Sequence, residues 1–391
     1  MERDSSRSRR TVLKGFGTAG VGLVAGVSGV SGKPGKGKGK ANGNEKGKST
    51  DSGGTVVEPG ESIQAAVDNA DPGTTVRVKD GEYREQVIVR KDLTIQGEGD
   101  PTILPPPGEL GVSGIAVVQP IIGAAGESTE LTLEGLTVDG EDAEDKGGFY
   151  SAIGYFKADG KVRDVTVKRA DFGGFITQNL GGGGEQDVTV EDSEFSDLGL
   201  QPLVFNERGT TGKITGNEFV GTPGSTQYAL TAGYGASVDV KDNTFEDFYA
   251  EDGSGIGFYA FNSSDCTVQK NEFKNVQYAA YFLASSSSNF ENEVGDARFI
   301  KNEITGTEVE GVSYGTTLYA NDLVDDDVIE SADNIKVVNN TYTDLDYGVA
   351  TYAVGDGQVD NTKIIRNEFS NVGTPIVDNG EDTKQQANRV S

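Results

Sequence analysis

The 391-residue chain contains no histidine and no tryptophan, and it has a single cysteine. Without an imidazole it can build no serine triad and no Cys–His pair, and most zinc or iron sites are closed to it. What remains for proton transfer and charge neutralisation is carboxylate, ammonium, guanidinium, phenol and amide, with oxygen ligands available for calcium. Lys157, Arg208, Tyr234 and Tyr259 are the catalytic candidates. An elimination beside a carboxylate needs a base, a proton donor for the leaving oxygen and a cation to neutralise the carboxylate, and these side chains supply such groups. A glycoside hydrolase needs instead two carboxylates about 5 to 10 Å apart, for which Asp171, Glu207 and Asp252 are eligible. The acidic run from Asp139 to Asp145 offers Asp139, Glu141, Asp142 and Asp145 as calcium ligands, and Asp325-Asp326-Asp327 is a second candidate. Neither has the strict ligand spacing of an EF-hand loop.

Charge narrows the partners. Lys plus Arg number 34 against 62 Asp plus Glu, a formal net charge of −28. A field of that sign repels nucleic acid and anionic membranes. It suits a protein of a salt-loving microbe, because molar salt shortens the Debye length to roughly 3 Å and makes self-repulsion tolerable. The first residues run the other way. Arg9-Arg10 precedes a weakly apolar stretch from Gly15 to Val30, too short to span a bilayer comfortably, and residues 1–32 read as a twin-arginine signal peptide. Residues 33–54, rich in Gly and Lys, read as a flexible linker. The mature protein is expected to be secreted by the twin-arginine pathway, without membrane insertion, and to be a monomer. With Cys266 alone there is no internal disulfide, so packing must hold the fold.

The elements that position the candidates come from a repeat. A short alternating strand leads into an asparagine, a small or acidic residue, and an apolar one. Lys213-Ile214-Thr215-Gly216-Asn217-Glu218-Phe219 and Thr267-Val268-Gln269-Lys270-Asn271-Glu272-Phe273 are two copies. From Phe195 the apolar position recurs at 219, 245, 273, 304, 342 and 369. A constant strand core with connections of variable length is the signature of a solenoid. Period-two alternation rules out helical repeats. Asn217, Asn243, Asn271, Asn302, Asn340 and Asn367 are expected to take up the left-handed bend between two strands and to bond to one another as an internal ladder. Phe195, Phe219, Phe245, Phe273, Tyr342 and Phe369 should stack beside it. Residues 62–70 form an amphipathic helix that should plug the N-terminal end. The fold class is therefore all-β, a right-handed parallel β-helix with a short N-terminal capping helix over residues 55–380, followed by a polar tail at 381–391.

Ile63-Gln64-Ala65-Ala66-Val67, Asp80-Gly81-Glu82-Tyr83-Arg84-Glu85 and Leu93-Thr94-Ile95-Gln96-Gly97-Glu98-Gly99 resemble the opening of pectin-lyase-like right-handed β-helix proteins. That superfamily includes polysaccharide lyases, polygalacturonases, pectin methylesterases and surface proteins without catalysis. The Gly-x-Tyr-x-Glu phrase at Gly81 to Glu85 is shared with pectin methylesterases but lies in the capping region. The Gly-His-Gly of polygalacturonases cannot occur here. The resemblance implies a polysaccharide partner lying along one parallel sheet, over strands near residues 151–157, 174–178, 202–208, 228–234, 255–261, 278–284, 312–316 and 347–353. Taking Ala152, Phe175, Leu203, Ile256 and Ala279 as inward, alternation puts Tyr155, Gln178, Asn206, Tyr259, Phe282 and Tyr352 outward. Lys157, Arg208, Tyr234 and Phe261 lie beside them. Rings next to amides are a surface on which sugars stack and hydrogen-bond. Two activities fit: cleavage of an acidic polysaccharide, by a lyase before a hydrolase and with calcium as the one eligible cofactor, or glycan binding by a surface or adhesion module that does no chemistry.

Overall fold

The computed structural model describes residues 54–391 apart from 109, 111–118, 142–149, 171–172, 180–183, 200, 225–227, 250–254, 286–292, 307–311 and 323–329. The described residues form a right-handed parallel β-helix. Thirty-two strands join into one sheet wound around a single core, and three more, Glu293–Gly295, Ser331–Asp333 and Gln358–Asp360, make a small sheet of their own. All of the strand pairings are parallel, each strand lying on its equivalent one coil later. No helix among the described residues is long and apolar enough to cross a membrane.

The asparagine ladder and the aromatic column exist as the repeat requires. Asn243 Oδ1 accepts from the backbone N–H and from Nδ2 of Asn217, both at 2.9 Å. The same pair of bonds recurs from Asn243 to Asn271, Asn271 to Asn302, Asn302 to Asn340 and Asn340 to Asn367. The ladder continues to Asn388, and Ser193 heads it. The ladder asparagines, however, do not themselves occupy the left-handed conformation. The residue before each one does: Asp242 has φ 54°, Lys270 57°, Lys301 58°, Asn339 57° and Arg366 56°. The division follows from geometry, since an outward residue can take the bend while the inward amide must point along the helix axis to meet its neighbours. Inside the turn, Phe195, Phe219, Phe245 and Phe273 stack with centroids 5.1, 4.9 and 4.7 Å apart. Tyr342 and Phe369 stack at 5.0 Å.

The ends are built differently. The helix Ile63–Asn69 buries Ile63 and Val67 over the first coil, with Ser62 as its N-cap. Glu85 closes its first turn: the carboxylate accepts from Ile63 N, Gln64 N and Ser62 Oγ. Tyr83 donates to Lys79 O at 2.8 Å, so the Gly81–Glu85 phrase serves the cap. At the other end, Lys384–Gln386 and Arg389–Val390, within the expected tail, are strands paired with the coil before them. The polar sequence there reflects exposure of the last rung, where Val390 is 66 % exposed.

Candidate functional site

One face of the solenoid is a parallel sheet of the strands Gln119–Ala125, Tyr150–Phe156, Gly173–Gln178, Leu203–Asn206, Tyr228–Gly233, Ile256–Phe261, Tyr278–Ser285, Tyr314–Asn321 and the second half of Thr341–Val354. Its register aligns Phe175 with Ile153, Leu203, Leu230, Phe258 and Ala280, all buried. The residue before this column also faces the core. A Cβ on Gly257 would lie 2.7 Å from the Phe273 ring, one on Gly315 2.3 Å from Tyr342, and one on Gly348 2.4 Å from Phe369. Two consecutive residues therefore point inward, and the first must be small because the aromatic stack lies against it.

This break in alternation corrects part of the expected outward stripe. Counting from Ala152 and Ala279 starts one residue too early, and a slip of one residue exchanges the two faces; Ile256, also taken as inward, pairs with Tyr228 and Tyr278 on the outward face. Tyr155 and Phe282 are inward and fully buried. Tyr155 donates to Leu131 O at 2.9 Å and packs on Phe175, and burial pushes its phenol far up. Gln178, Asn206, Tyr259, Phe261 and Tyr352 do lie on the outward face, in register columns with Tyr281 and Tyr319.

The outward face has two halves. From Tyr228 to Tyr352 it is lined by tyrosine. Tyr278, Tyr314 and Tyr347 stack on one another at 4.9 and 4.7 Å, so their faces are mutually covered and their hydroxyl edges are presented. Tyr281, Tyr319 and Tyr352 are spaced 6.3 Å apart along the next rungs and leave more room between rings. Tyr278, Tyr281, Tyr314, Tyr319 and Tyr347 were not singled out from sequence. The signal was there in the pairing of Tyr278, Tyr314 and Tyr347, but it needs the register to be read. Thr231 and Thr317 flank Tyr259 and Tyr281 in one column, and the hydroxyls of both are buried with no partner.

The other half is charged. Lys157, Glu207, Tyr234 and Asn262 each follow the end of a strand of this sheet in left-handed conformation, with φ 51°, 75°, 53° and 47°. Each donates its backbone N–H to a carbonyl on the next strand, at 2.9 to 3.0 Å. They share one corner of successive coils, so Lys157 lines up with Glu207, while Arg208 is one residue further on, against Gly235. Lys157 Nζ lies 3.4 Å from Glu127 Oε1. Gln178 Nε2 donates to Glu207 Oε1 at 2.9 Å. Tyr234 packs edge-on against Phe261 at 5.1 Å, and burial pushes its phenol up to about 12. Burial raises the Tyr259 phenol as well, with repulsion from Tyr228, Tyr281 and Tyr234. Both phenols keep their protons at neutral pH and suit the role of donor.

Of the acidic run, Asp139 and Glu141 are described, and both are held by arginine. Arg169 Nε bonds Asp139 Oδ1 at 2.8 Å and its Nη2 holds Oδ2, while Arg84 grips both oxygens of Glu141. The Arg84 hydrogen bond holds the Glu141 carboxyl below its usual range. Asp142 and Asp145 lie outside the described residues, as do Asp171, Asp252 and Asp325-Asp326-Asp327. Among the described residues no group of three or more acidic or cysteine side chains is placed to hold a metal ion.

The family described as "right handed beta helix region" matches residues 151–323. No curated protein matches the sequence. Among solved structures, the mannuronan C-5 epimerase A-module of Azotobacter vinelandii is similar with a TM-score of 0.54 at 17% identity, over 84% of this chain and 94% of that one. A periplasmic alginate epimerase is similar with a TM-score of 0.52 at 13% identity, over 86% and 83%. A hyperthermoactive exopolygalacturonase from Thermotoga maritima has a TM-score of 0.56 at 11% identity, over 82% and 84%. At such identities the likeness is one of fold, and it places this chain among proteins built as right-handed parallel β-helices.

Proposed function

We propose that this protein is an exported enzyme that acts on an acidic, uronate-containing polysaccharide laid along the outward face of the Gln119–Val354 sheet, cleaving it by β-elimination. The observation that carries this reading is the division of that face into a tyrosine half and a charged half. Tyrosine edges and open rings suit sugar hydroxyls and the apolar faces of sugar rings. Lys157 and Arg208 supply positive charge for the uronate carboxylate, and Tyr234 or Tyr259 supplies a proton for the leaving oxygen. Substrate binding falls to Gln178, Asn206, Phe261 and Tyr352, together with the added tyrosines. The names of the structural neighbours, two epimerases of mannuronan and alginate and an exopolygalacturonase, support a polyuronate as the substrate class. Export rests on the paired arginines Arg9-Arg10 and the apolar stretch after them.

A glycan-binding module without chemistry would need the tyrosines alone. The gathering of Lys157, Glu207, Arg208 and Tyr234 at one edge of them favours an enzyme. The test is to incubate the protein in molar salt with alginate, polygalacturonate and other polyuronates. The ultraviolet absorbance of a new double bond conjugated to the carboxylate is then followed, with proton exchange and reducing ends measured in parallel. A rise in absorbance that Arg208→Ala abolishes is expected. Binding without any of the three signals would leave the module reading in its place.

A further inference from the structure

The charged half of the groove contains a buried carboxylate to which the reading above gives no role. Glu207 is 7 % exposed, in a left-handed corner at φ 75°. Its Oε1 accepts from Gln178 Nε2 at 2.9 Å. Gln178 is itself only 2 % exposed, and its Oε1 is buried with no donor. A buried acceptor left without a donor is uncommon, and it shows that this amide is committed to Glu207 rather than to its own hydrogen-bond balance. Tyr234 holds the equivalent corner on the next rung, about 4.8 Å along the solenoid, and Lys157 lies two rungs to the other side.

We infer that Glu207 is the base that takes the proton from the carbon beside the uronate carboxylate, that Gln178 positions it, and that Tyr234 is the acid that protonates the leaving oxygen. The inference rests on the polyuronate reading of the groove and names the groups that carry out its chemistry. As the C–H bond α to the carboxylate breaks, its proton goes to the Glu207 carboxylate and its electron pair becomes the new double bond. The β-carbon–oxygen bond breaks, and the departing oxygen takes the phenolic proton of Tyr234. Proton transfer from Glu207 back to the phenolate, through water, restores both groups, so no oxidant, reductant or second substrate is consumed. The Gln178 amide, donating to Glu207 Oε1, fixes the orientation of that carboxylate. Lys157 and Arg208 face the substrate carboxylate, whose charge grows as the proton leaves.

The test uses the full chain with alginate and polygalacturonate, reading affinity by calorimetry, rate by absorbance and fold by thermal melting. Glu207→Gln should bind the polymer within a few-fold of the parent and lose about 100-fold or more in kcat. Gln178→Met should stay folded and lower kcat, and adding it to Glu207→Gln should cost little more, because Gln178 acts through that carboxylate. If Glu207→Gln melts below the assay temperature, Glu207→Asp replaces it: a shortened base slows kcat, whereas a corner brace leaves kcat unchanged. Parental turnover by a folded Glu207 variant overturns the inference and leaves the groove reading intact. Losses in kcat that simply add in the Glu207→Gln, Gln178→Met double variant overturn the positioning role. A parent chain that neither binds nor turns over either polymer overturns the groove reading, and the inference falls with it.

Discussion

Each coil depends on a small number of side chains with no freedom of type. The ladder asparagines accept two hydrogen bonds from the coil before and donate to the coil after, all out of reach of water. Replacing Asn271 by Ala strands the backbone N–H of Asn243 and takes one of three acceptors from its amide, which keeps Ile214 O and Lys241 O. Each buried orphan costs about 1–3 kcal/mol, so a loss of about 2–4 kcal/mol is expected in a denaturant titration. Asn271→Asp should be no better a substitute, since it lacks the amide that donates onward to Asn302. On the outward face the residue-scale prediction concerns binding. Tyr281→Ala and Tyr319→Ala should each weaken polyuronate affinity by about 3- to 10-fold, as expected for half-buried aromatic contacts worth about 0.5–1.5 kcal/mol. Tyr155→Ala should do the reverse, costing stability rather than acting first on binding, because that ring is in the core.

At the scale of the element, the strand and its corner decide which side chains meet. The glycine column beside the aromatic stack shows the constraint: Gly257→Ala would put a methyl 2.7 Å from the Phe273 ring. Overpacking of this kind costs about 1–3 kcal/mol and should appear as a lowered melting temperature. The same column explains what could be read from the sequence and what could not. The period of the Asn and Phe positions is visible because those residues are large or chemically singular, and they recur whatever the loop lengths do. The inward and outward assignment of the groove strands is not visible, because small residues such as Ala152, Ala229, Ala279 and Gly315 carry no signal that two inward positions follow one another. Gln178, Asn206, Tyr259, Phe261 and Tyr352 survive that ambiguity and Tyr155 and Phe282 do not. The left-handed corners were legible in kind, as polar residues near strand ends, but assigned one position late at the ladder. That Lys157, Arg208 and Tyr234 lie beside one groove was legible from the repeat, but that Glu207 shares their corner was not, since it rests on the left-handed turn after each strand rather than on any residue pattern.

The whole molecule is a stack whose stability sums over coils and interfaces between neighbours, and its surface is strongly acidic at a net −28. Lowering salt from molar to tens of millimolar should therefore reduce the melting temperature, as repulsion among carboxylates is unscreened. Alkaline pH should act through the buried phenols. Tyr234 is pushed up to about 12, and Tyr155, Tyr259, Tyr281 and Tyr342 are raised by burial as well. Below the ordinary phenol value of 10.0 both folded and unfolded chains hold these protons and nothing is lost. Above it the unfolded chain releases protons that the folded chain retains, so stability falls as pH rises from 10 towards 12. A series of denaturant titrations across that window should show the decline, steeper than in a variant with Tyr155 and Tyr342 both changed to Phe.

The central claim is that a polyuronate lies along the outward face of one sheet, with its tyrosine half holding sugars and its charged half doing chemistry. A crystal structure of the Glu207→Gln chain with a bound oligouronate tests it most directly. The account predicts sugar rings against Tyr281 and Tyr319 and a carboxylate beside Lys157 or Arg208, with the α C–H of that uronate near residue 207. An oligouronate seated elsewhere, such as the cleft lined by Asn339, Arg366, Glu368, Asn388 and Arg389 at the last coil, with the tyrosine face bare, would contradict it.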